Sequence, residues 1–349
     1  MSGRLVLAIE SSCDETGVAL VEDGRQVHAN IVASQVALHA ATGGIVPEAA
    51  ARAHLRWILP VLDEAWAVAG ASWADVEAVA VTHGPGLAGS LLVGINVAKT
   101  LAWVHDKPLV GVNHLEGHVY AAWLEDVPEP IFPLVALVVS GGHTFLVEMR
   151  DHLTYRLLGQ TVDDAAGEAF DKVGRLLGLG YPGGPAIQRA AEAAPHHDAA
   201  FPRAWLGDSY DFSFSGLKTA ARRTVAAARE DAGLADAPDE PLPDATTAAL
   251  AWGFQDAVVD VLVTKTIRAA EQTAARSIVL GGGVAANGPL RSRLAGEAEA
   301  VGVPLVVPRP ALCTDNGAMI GAAGWRRYRA GDRSGLDLEA RPSLPLAAR

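Results

Sequence analysis

The hydrophobic and polar positions along the chain predict one order of strands and helices that occurs twice. In the first copy, apolar segments at Arg4 to Ser11, "TGVALV" and "RQVHANIVAS" predict a three-stranded meander. A helical pattern from Pro47 to Ala69 follows, and after it come the strand "VEAVAVT", a helix ending near His105, the strand "PLVGVN" and a further helix. The predicted order of this copy is therefore βββαβαβα.

From Phe132 the same order returns. The segments "PLVALVVS", "HTFLVEM" and "TYRLLGQ" predict a second meander, and a helix is predicted over Asp163 to Leu177. A helix from about Asp244 to Ala275, the strand "SIVLG", a helix, the strand "VPLVVP" and a last helix complete the copy. The intervening residues contain "YPGGPAI", "FSFSGLKTAARR" and an acidic, proline-bearing stretch that predicts a surface loop, "EDAGLADAPDEPLPD".

This order predicts an α/β fold with two βββαβαβα halves around a central cleft. Strands interleaved with helices are typical of sheets that are covered on both faces. We expect residues 1–131 to form the first half, residues 132–330 the second half with an insertion at about 179–243, and residues 331–349 a C-terminal tail. Ligands of such sheets bind at the carboxyl ends of strands, where the glycine clusters "HGPGLAGS" and "GGGVAAN" lie.

The composition narrows the class of protein. Every apolar run falls short of the ~20 residues of a membrane span, and "RLVLAI" is too short for a signal peptide, so a soluble, cytoplasmic protein is expected. Two distant cysteines, Cys13 and Cys313, fit a reducing compartment and exclude a disulfide scaffold. The formal net charge of −12 opposes tight unaided binding of nucleic acid, because contacts to phosphates supply most of that affinity.

The segment "VNHLEGHVYA" contains two histidines, His114 and His118, at the spacing of one helical turn. At about 100° per residue they lie about 40° apart on one helix face, which suits two ligands of one metal ion. Glu116 lies about 200° from His114 and points away, unlike the glutamate of an H-E-x-x-H protease. The alternative is that Asn113 caps the helix and the histidines are ordinary surface or core residues.

Asp315 stands in the second copy where His114 stands in the first, at the start of the helix after the fifth strand. We expect equivalent positions of a duplicated fold to face each other across the cleft. A His, His, Asp set with open coordination positions suits zinc or ferrous iron. The alternative is that Asp315 caps its helix, since aspartate is a preferred N-cap residue.

Four further loops carry candidate chemistry. The glycines of "VVSGGHT" allow backbone N–H groups to approach a phosphate, or form a simple hairpin turn. "GPGLAGS" and "GGGVAAN" precede helices and favour anions, although neither is a Walker A or Rossmann pattern. "ESSCDETG" places Glu10, Asp14 and Glu15 together, either to orient a metal-bound group and accept a proton or as an exposed acidic turn.

With these residues assembled, the sequence resembles the universal family of tRNA N6-adenosine threonylcarbamoyltransferases, formerly called O-sialoglycoprotein endopeptidases. The resemblance spans nearly the whole chain and implies a duplicated actin-like ATPase (RNase H-like) fold. The segments that carry it are "AIESSCDETGVAL", "GGIVPEAAARAH", "GPGLAGSLLVG", "VNHLEGH", "VVSGGHT", "DDAAGEAFDKVGRLLGLGYPGGP", "FSFSGLKTA", "GGGVAANGPLR" and "CTDNGAMIG".

The resemblance implies a ligand set and a reaction. It implies that one divalent metal ion, iron or alternatively zinc, binds to His114, His118 and Asp315. An ATP- or ADP-like nucleotide fits the same site as the substrate threonylcarbamoyl-AMP, whose implied contacts are Val138, Val139, Ser140, Gly141, Gly142, Asp171, Gly184 and Asn287. Some relatives carry an acidic contact four residues beyond that last glycine, but this chain has Gln188, which leaves a ribose contact open. Asp14 and Glu15 are candidate catalytic residues for proton handling or donor orientation.

The reaction of the family transfers the threonylcarbamoyl group to N6 of adenosine 37 in tRNAs that read codons starting with A. The implied partners are tRNA, a small inactive paralogue that forms a heterodimer, and a separate P-loop ATPase, with no membrane. The apolar helix from Leu87 to Trp103 is either a docking face or an ordinary core helix. The basic residues expected to meet tRNA are Lys218, Arg222, Arg223, Arg291, Arg293, Arg326, Arg327 and Arg329.

Three other functions compete with this interpretation. An ATP-hydrolysing or sugar-kinase-like protein of the same fold would use the glycine loops but gives no reason for the histidine pair. A metalloprotease is disfavoured by the direction of Glu116. A non-catalytic scaffold would be expected to lose the metal residues, and this chain keeps all of them.

Overall fold

The computed structural model describes residues 4–40, 44–125, 128–193, 200–237 and 240–346. Its strands form two five-stranded sheets. The strands of the first sheet are β1 Leu5–Glu10, β2 Glu15–Glu22, β3 Gln26–Ser34, β4 Val76–Gly84 and β5 Leu109–Asn113. Those of the second sheet are β6 Leu134–Val139, β7 Thr144–Asp151, β8 Thr154–Gln160, β9 Ser277–Gly281 and β10 Leu305–Val306.

The helices of the described residues are α1 Val36–Ala40, α2 Pro47–Ala69, α3 Ala88–Val104, α4 His114–Tyr120, α5 Ala166–Leu176, α6 Gly183–Glu192, α7 Ser215–Asp231, α8 Asp244–Gln272, α9 Gly288–Ala300, α10 Pro310–Cys313 and α11 Gly317–Arg329. They include those predicted and four others, α1, α6, α7 and α10. Short 3-10 turns lie at Trp73–Asp75, Ala121–Leu124 and Gly283–Ala286. Helices α6 and α7 lie in the stretch predicted as an insertion. The predicted acidic loop includes residues 238 and 239, and the predicted tail includes 347–349, which lie outside the described residues.

The two sheets have the same strand order, which confirms the predicted α/β duplication. The orders are β3-β2-β1-β4-β5 and β10-β9-β6-β7-β8, so the first strand of each meander lies at the centre of its sheet. Strand β1 pairs antiparallel with β2 and parallel with β4, and β6 pairs in the same two ways with β7 and β9. One module used twice accounts for both sheets.

The chain divides into two compact units that differ from the division of the sequence repeat. The first contains the described residues of Met1–Pro130, Arg150–Tyr155 and Pro308–Ala348, and the second those of Ile131–Met149 and Arg156–Val307. Helix α11, the last helix of the second repeat, packs in the first unit against β1, β2, β4 and α4. The last part of the chain therefore belongs to the sheet that its beginning forms.

Helices pack against both faces of the first sheet, where alternate residues of its strands point. Leu7 and Ile9 of β1 are fully buried in the core that α2 and α3 complete. On the other face, glycine allows α11 to lie directly on the strands. A Cβ atom on Gly317 would stand 2.6 Å from the backbone nitrogen of Ala19, and one on Gly324 would stand 2.5 Å from Cβ of Ala80. Contacts this close fix the beginning of α11, and therefore Asp315 just before it.

None of the helices among the described residues is both long enough and apolar enough to span a membrane.

Candidate functional site

Parallel pairing brings the carboxyl ends of β1, β4 and β5 to one edge of the first sheet. Glu10 ends β1, Gly84 ends β4, and Asn113 ends β5 immediately before α4. The side chain of Asn113 accepts a hydrogen bond from the backbone N–H of Leu115 at 2.9 Å and caps α4, as the sequence suggested. The cap starts the helix at His114, so the first histidine lies at this edge of the sheet.

His114, His118 and Asp315 converge within the first unit. The Nε2 atom of His118 lies 3.2 Å from Oδ1 of Asp315, and Nε2 of His114 lies 3.5 Å from the same oxygen. One ligand atom from each residue lies within 4.8 Å of the others. Asn316, rather than Asp315, caps α11 by accepting a hydrogen bond from Met319 at 3.0 Å. The capping role considered for Asp315 is therefore wrong, and its carboxylate faces the histidines.

The donor set fits a divalent metal ion. His118 is fully buried, and neither of its ring nitrogens makes a hydrogen bond with the described residues. A buried polar atom without a hydrogen bond is costly, and a cation between Nε2 of His118 and the Asp315 oxygen 3.2 Å away would bind both atoms. Two imidazoles and one carboxylate match the ligands of zinc and of non-haem iron, with coordination positions left for a substrate.

Glu10 holds His114 from the side opposite the candidate metal position. Its Oε2 atom lies 3.1 Å from Nδ1 of His114 and accepts a hydrogen bond from Thr82 Oγ1 at 2.6 Å. Burial would lower the pKa of His114, but the carboxylates of Asp315 and Glu10 outweigh burial and raise that pKa to about 9. Burial would likewise raise the pKa of Glu10, and His114 outweighs it and lowers that pKa.

Asp14 and Glu15, the two carboxylates predicted as catalytic, lie near enough to Asp315 for its charge to affect their pKa values. Burial, and then the charge of Asp315, raises the pKa of Asp14. Burial raises the pKa of Glu15 to about 8, although a hydrogen bond from Ser34 opposes the shift. The second oxygen of Glu15, Oε2, is buried and makes no hydrogen bond with the described residues. The acidic segment is therefore a partly buried cluster rather than an exposed turn.

Glu116 points away from the histidine pair, as the helical spacing predicts. Its carboxylate is fully buried, accepts a hydrogen bond from Tyr155 at 2.5 Å and pairs with Nε of Arg327 at 2.5 Å. Both oxygens are engaged in these contacts. Glu116 is therefore not placed to act as a base on a metal-bound water, and this geometry disfavours a metalloprotease.

The predicted nucleotide contacts lie in the second unit, beginning with the turn after β6. Val138 and Val139 end this buried strand, and Ser140 donates its backbone N–H to the carbonyl of His143 at 2.7 Å. Gly141 and Gly142 are exposed, and a Cβ atom on either would meet nothing within 4 Å. The turn therefore leaves open space for a ligand at its glycines.

Asp171 and Gly184 lie on helices α5 and α6, which pack against each other. Oδ1 of Asp171 accepts a hydrogen bond from the backbone N–H of Gly183, the first residue of α6, at 2.7 Å. Burial raises the pKa of Asp171, while this hydrogen bond opposes the shift. Gly184 follows directly and is partly exposed, and a Cβ atom at this position would also meet nothing within 4 Å.

Asn287 caps α9, so part of its hydrogen-bonding capacity is structural. Its side chain accepts from the backbone N–H of Leu290 at 3.0 Å and donates to Oε1 of Gln255 at 2.8 Å. Gln188 accepts a hydrogen bond from the backbone N–H of Gly288 at 3.0 Å. The α6 residue that replaces the acidic contact of some relatives therefore supports the beginning of α9.

The duplicated sheets and the His, His, Asp set define an actin-like α/β protein with a candidate cation site. Full-length HypF in a phosphate- and nucleotide-bound form has the same fold, with a TM-score of 0.60 and 13% identity over 95% of this chain and 47% of that chain. The activator of 2-hydroxyisocaproyl-CoA dehydratase from Clostridium difficile, with bound ADPNP, gives a TM-score of 0.51 and 14% identity over 94% of this chain and 96% of that chain. At these identities the likeness concerns the fold alone.

Sequence comparison is more specific. The family model described as "TsaD: tRNA N6-adenosine threonylcarbamoyltransferase" matches residues 26–322. Proteins named tRNA N6-adenosine threonylcarbamoyltransferase are 55% identical in Thermomicrobium roseum and 54% identical in Symbiobacterium thermophilum, each over 99% of this chain and 98% of the relative. The chain therefore belongs to the tRNA N6-adenosine threonylcarbamoyltransferase family.

Ser12 and Thr82 are site residues that the sequence analysis did not identify. Ser12 Oγ lies 3.1 Å from Nδ1 of His114, and Thr82 bonds to Glu10 at 2.6 Å. Ser12 lies inside the acidic segment "ESSCDETG", so this motif already indicated its region of the chain as a candidate site. Thr82 ends an ordinary strand pattern, and only the order of strands in the sheet brings it to the site.

We expect His118→Ala to lose bound metal while the protein remains folded, because the imidazole is a ligand without any other hydrogen bond among the described residues. Loss of even an outer-shell partner costs about 10–100-fold in metal affinity, so loss of a ligand should cost at least that. The measurement is zinc affinity by competition with a chromophoric chelator, with melting temperature as the check on folding.

His54→Ala serves as the matched control, since His54 is also buried in the first unit but bonds to Thr16 and to the carbonyl of Cys13. It should lower the melting temperature and leave zinc affinity unchanged. Equal zinc affinity in the wild type and in His118→Ala would contradict the ligand assignment.

Proposed function

We propose that the chain transfers the threonylcarbamoyl group from threonylcarbamoyl-AMP to N6 of adenosine 37 in tRNAs that read codons starting with A. The observation that carries this proposal is the His, His, Asp set, with an unsatisfied buried imidazole at His118, in a member of the threonylcarbamoyltransferase family. Iron is the proposed metal, with zinc as the alternative.

The reaction requires an activated donor, because the N6 amine of adenine is a weak nucleophile. In the proposed step the N6 nitrogen bonds to the carbamoyl carbon, the bond from that carbon to the AMP phosphate oxygen breaks, and N6 loses a proton. A divalent cation held by His114, His118 and Asp315 would supply Lewis-acid polarisation of the carbonyl as negative charge develops. The chain itself must hold the donor and accept the proton.

Asp14 and Glu15 are the proposed groups for proton handling or donor orientation. A general base works best when its pKa lies near the working pH, and burial moves the pKa of Glu15 up to about 8. The buried, unbonded Oε2 of Glu15 is an acceptor that the described residues do not use. Asp14 lies beside it and shares the field of Asp315.

For the nucleotide part of the donor, we place the AMP phosphate on the backbone N–H groups of Gly141 and Gly142. Both glycines are exposed in open space, and bare amides at a turn are typical anion ligands. Val138, Val139 and Ser140 lead the chain into that turn. Gly184 and Asn287 stand at the beginnings of α6 and α9, where helix N-termini favour negative charge.

Several of the basic residues expected to meet tRNA are paired with carboxylates. This pairing supports the proposal that the chain needs a partner to bind tRNA. Lys218 pairs with Asp164 at 2.7 Å, and Arg293 pairs with Asp260 at 2.5 Å. Arg326 and Arg327 likewise pair with carboxylates, whereas Arg222 and Arg223 of α7 are exposed. The net charge of −12 further opposes the binding of tRNA phosphates by the chain alone.

We propose that a small paralogue of the same fold supplies this help as a heterodimer, and that a P-loop ATPase acts with the pair. Helix α3 packs on the core through one side, yet its Leu92 is 48% and its Trp103 72% exposed. On the adjoining α2, Leu55 and Leu59 are 66% and 58% exposed. Apolar side chains grouped on two adjoining helices favour a docking surface.

The direct test of the proposed function is transfer of labelled threonylcarbamoyl to tRNA. The chain, its paralogue and the P-loop ATPase with ATP, supplied with threonylcarbamoyl-AMP, should modify a tRNA transcript with adenosine at position 37. The same transcript with guanosine 37 should stay at background, because it lacks the N6 amine. Equal labelling of the two transcripts, or none of either, would overturn the proposed reaction.

We expect Asp171→Ala and Asn287→Ala to weaken threonylcarbamoyl-AMP binding while metal content is unchanged, because both residues lie in the second unit and the triad in the first. A lost hydrogen bond is worth about 0.5–1.5 kcal/mol, or about twofold to twelvefold in affinity. Calorimetric titration in the absence of tRNA measures the change.

Asn287→Ser separates capping from ligand binding, since serine also caps helices well. This variant should recover the wild-type melting temperature that Asn287→Ala loses, but it should not recover the wild-type affinity for threonylcarbamoyl-AMP. Full donor affinity in both alanine variants would contradict this placement of the nucleotide.

We expect the chain alone to bind tRNA more weakly, and with a shallower salt dependence, than the chain with its paralogue. Each phosphate contact adds about 0.9 to the slope of log affinity against log salt on a duplex. Filter-binding titrations at several salt concentrations measure both quantities. Leu55→Asp, on the proposed docking surface, should make the mixture behave like the chain alone, and equal slopes with and without the paralogue would refute the helper role.

A further inference from the structure

We propose that Glu10 is a positioning residue that keeps the proton of His114 on Nδ1, so that the lone pair on Nε2 is presented to the cation. The inference rests on the cation site of the proposed function and adds a residue that does not itself touch the metal. Glu10 is fully buried at the end of β1, and His114 begins α4 after β5. Between these two strands lies β4, which contributes Thr82.

Three hydrogen-bond partners fix the orientation of the Glu10 carboxylate. The backbone N–H of Ser12 donates to Oε1 at 2.5 Å, and the hydroxyl of Thr82 donates to Oε2 at 2.6 Å. Nδ1 of His114 lies 3.1 Å from the same Oε2. Because an ionised carboxylate only accepts hydrogen bonds, this nitrogen must carry the proton. In the neutral imidazole, Nε2, which faces Asp315, is then left without one.

Ser12 could favour the wrong tautomer of His114, and this is why a carboxylate is needed beside Nδ1. The hydroxyl of Ser12 also lies 3.1 Å from Nδ1 of His114. A hydroxyl can either donate or accept. If Ser12 donated to Nδ1, the proton of the neutral imidazole would move to Nε2 and block the metal ligand. The carboxylate of Glu10 favours the opposite tautomer, in which Ser12 can only accept. The arrangement matches the general rule that a ligating histidine donates its other N–H to a carboxylate.

Glutamine at position 10 would change the hydrogen bonding with little change in volume. If its oxygen kept the bond from Ser12, its NH₂ group would face Nδ1 and donate to it, which forces the proton of His114 onto Nε2. If the amide turned over, the NH₂ group would face the N–H of Ser12, donor against donor, and leave a buried group unsatisfied. In the first orientation Nε2, which faces the candidate cation position, carries the proton and has no lone pair for a metal.

The matched control is Glu116→Gln, which changes a second fully buried carboxylate in the same unit. Glu116 lies on the metal-bearing helix but bonds to Tyr155 and Arg327 instead of to either histidine. A merely structural effect would lower stability in both variants. An effect on His114 would lower metal affinity only in the Glu10 variant.

The experiment measures zinc affinity, by chelator competition, and melting temperature without metal for wild type, Glu10→Gln and Glu116→Gln. We expect Glu10→Gln to bind zinc about 10–100-fold more weakly, and Glu116→Gln to melt at a lower temperature with zinc affinity unchanged. In zinc-loaded wild type, nitrogen NMR of labelled histidine should place the His114 proton on Nδ1 and the metal on Nε2.

The outcomes separate this inference from the proposed function. Wild-type zinc affinity in the Glu10 variant, or zinc on Nδ1 of His114, would overturn the positioning role while the cation site stands. Equal losses of zinc affinity in the two glutamine variants would reduce Glu10 to a structural residue. A wild-type chain that binds no zinc or iron would remove the cation site, and this inference with it.

Discussion

The parallel pairing of β1, β4 and β5 is the constraint on which the candidate site of the first unit depends. Parallel strands end at the same edge of a sheet, so Glu10, Thr82 and His114 meet although they are far apart in sequence. Strand β4 lies between β1 and β5, and its Thr82 donates a hydrogen bond to the same Glu10 oxygen that His114 contacts directly. The hydroxyl of Thr82 therefore helps to orient that oxygen toward the imidazole.

The third metal residue reaches this edge through close packing of α11. Gly317 and Gly324 lie too near the strands to allow any side chain, so the helix has little freedom to slide along the sheet. Asn316 caps the helix and leaves the carboxylate of Asp315 available for the histidines. The last part of the chain thus completes a site that the first part starts, and the compact units reflect this.

Local spacing made much of this arrangement predictable from the sequence. The apolar periods gave both meanders and their helices, and a separation of four residues placed His114 and His118 on one helix face with Glu116 directed away. The contribution of Thr82 was not predictable, because it depends on which strands are neighbours. The ion pairs of Arg293 with Asp260 and of Lys218 with Asp164 could not be predicted for the same reason. The set of basic residues expected to contact tRNA was therefore too large.

The balance of charge at the candidate site explains why a divalent cation suits it. Glu10, Asp14, Glu15 and Asp315 bring four carboxyl groups to a partly buried region that also contains the imidazoles of His114 and His118. Burial, and then the charge of Asp315, raises the pKa of Asp14, and burial raises that of Glu15 to about 8, so the Glu15 carboxyl is largely protonated at neutral pH without a cation. A bound cation would favour the ionised carboxylates and the neutral imidazoles, and its binding would release protons. The same shift would return Glu15 to its ionised form, which is the form that the proposed role in proton handling requires.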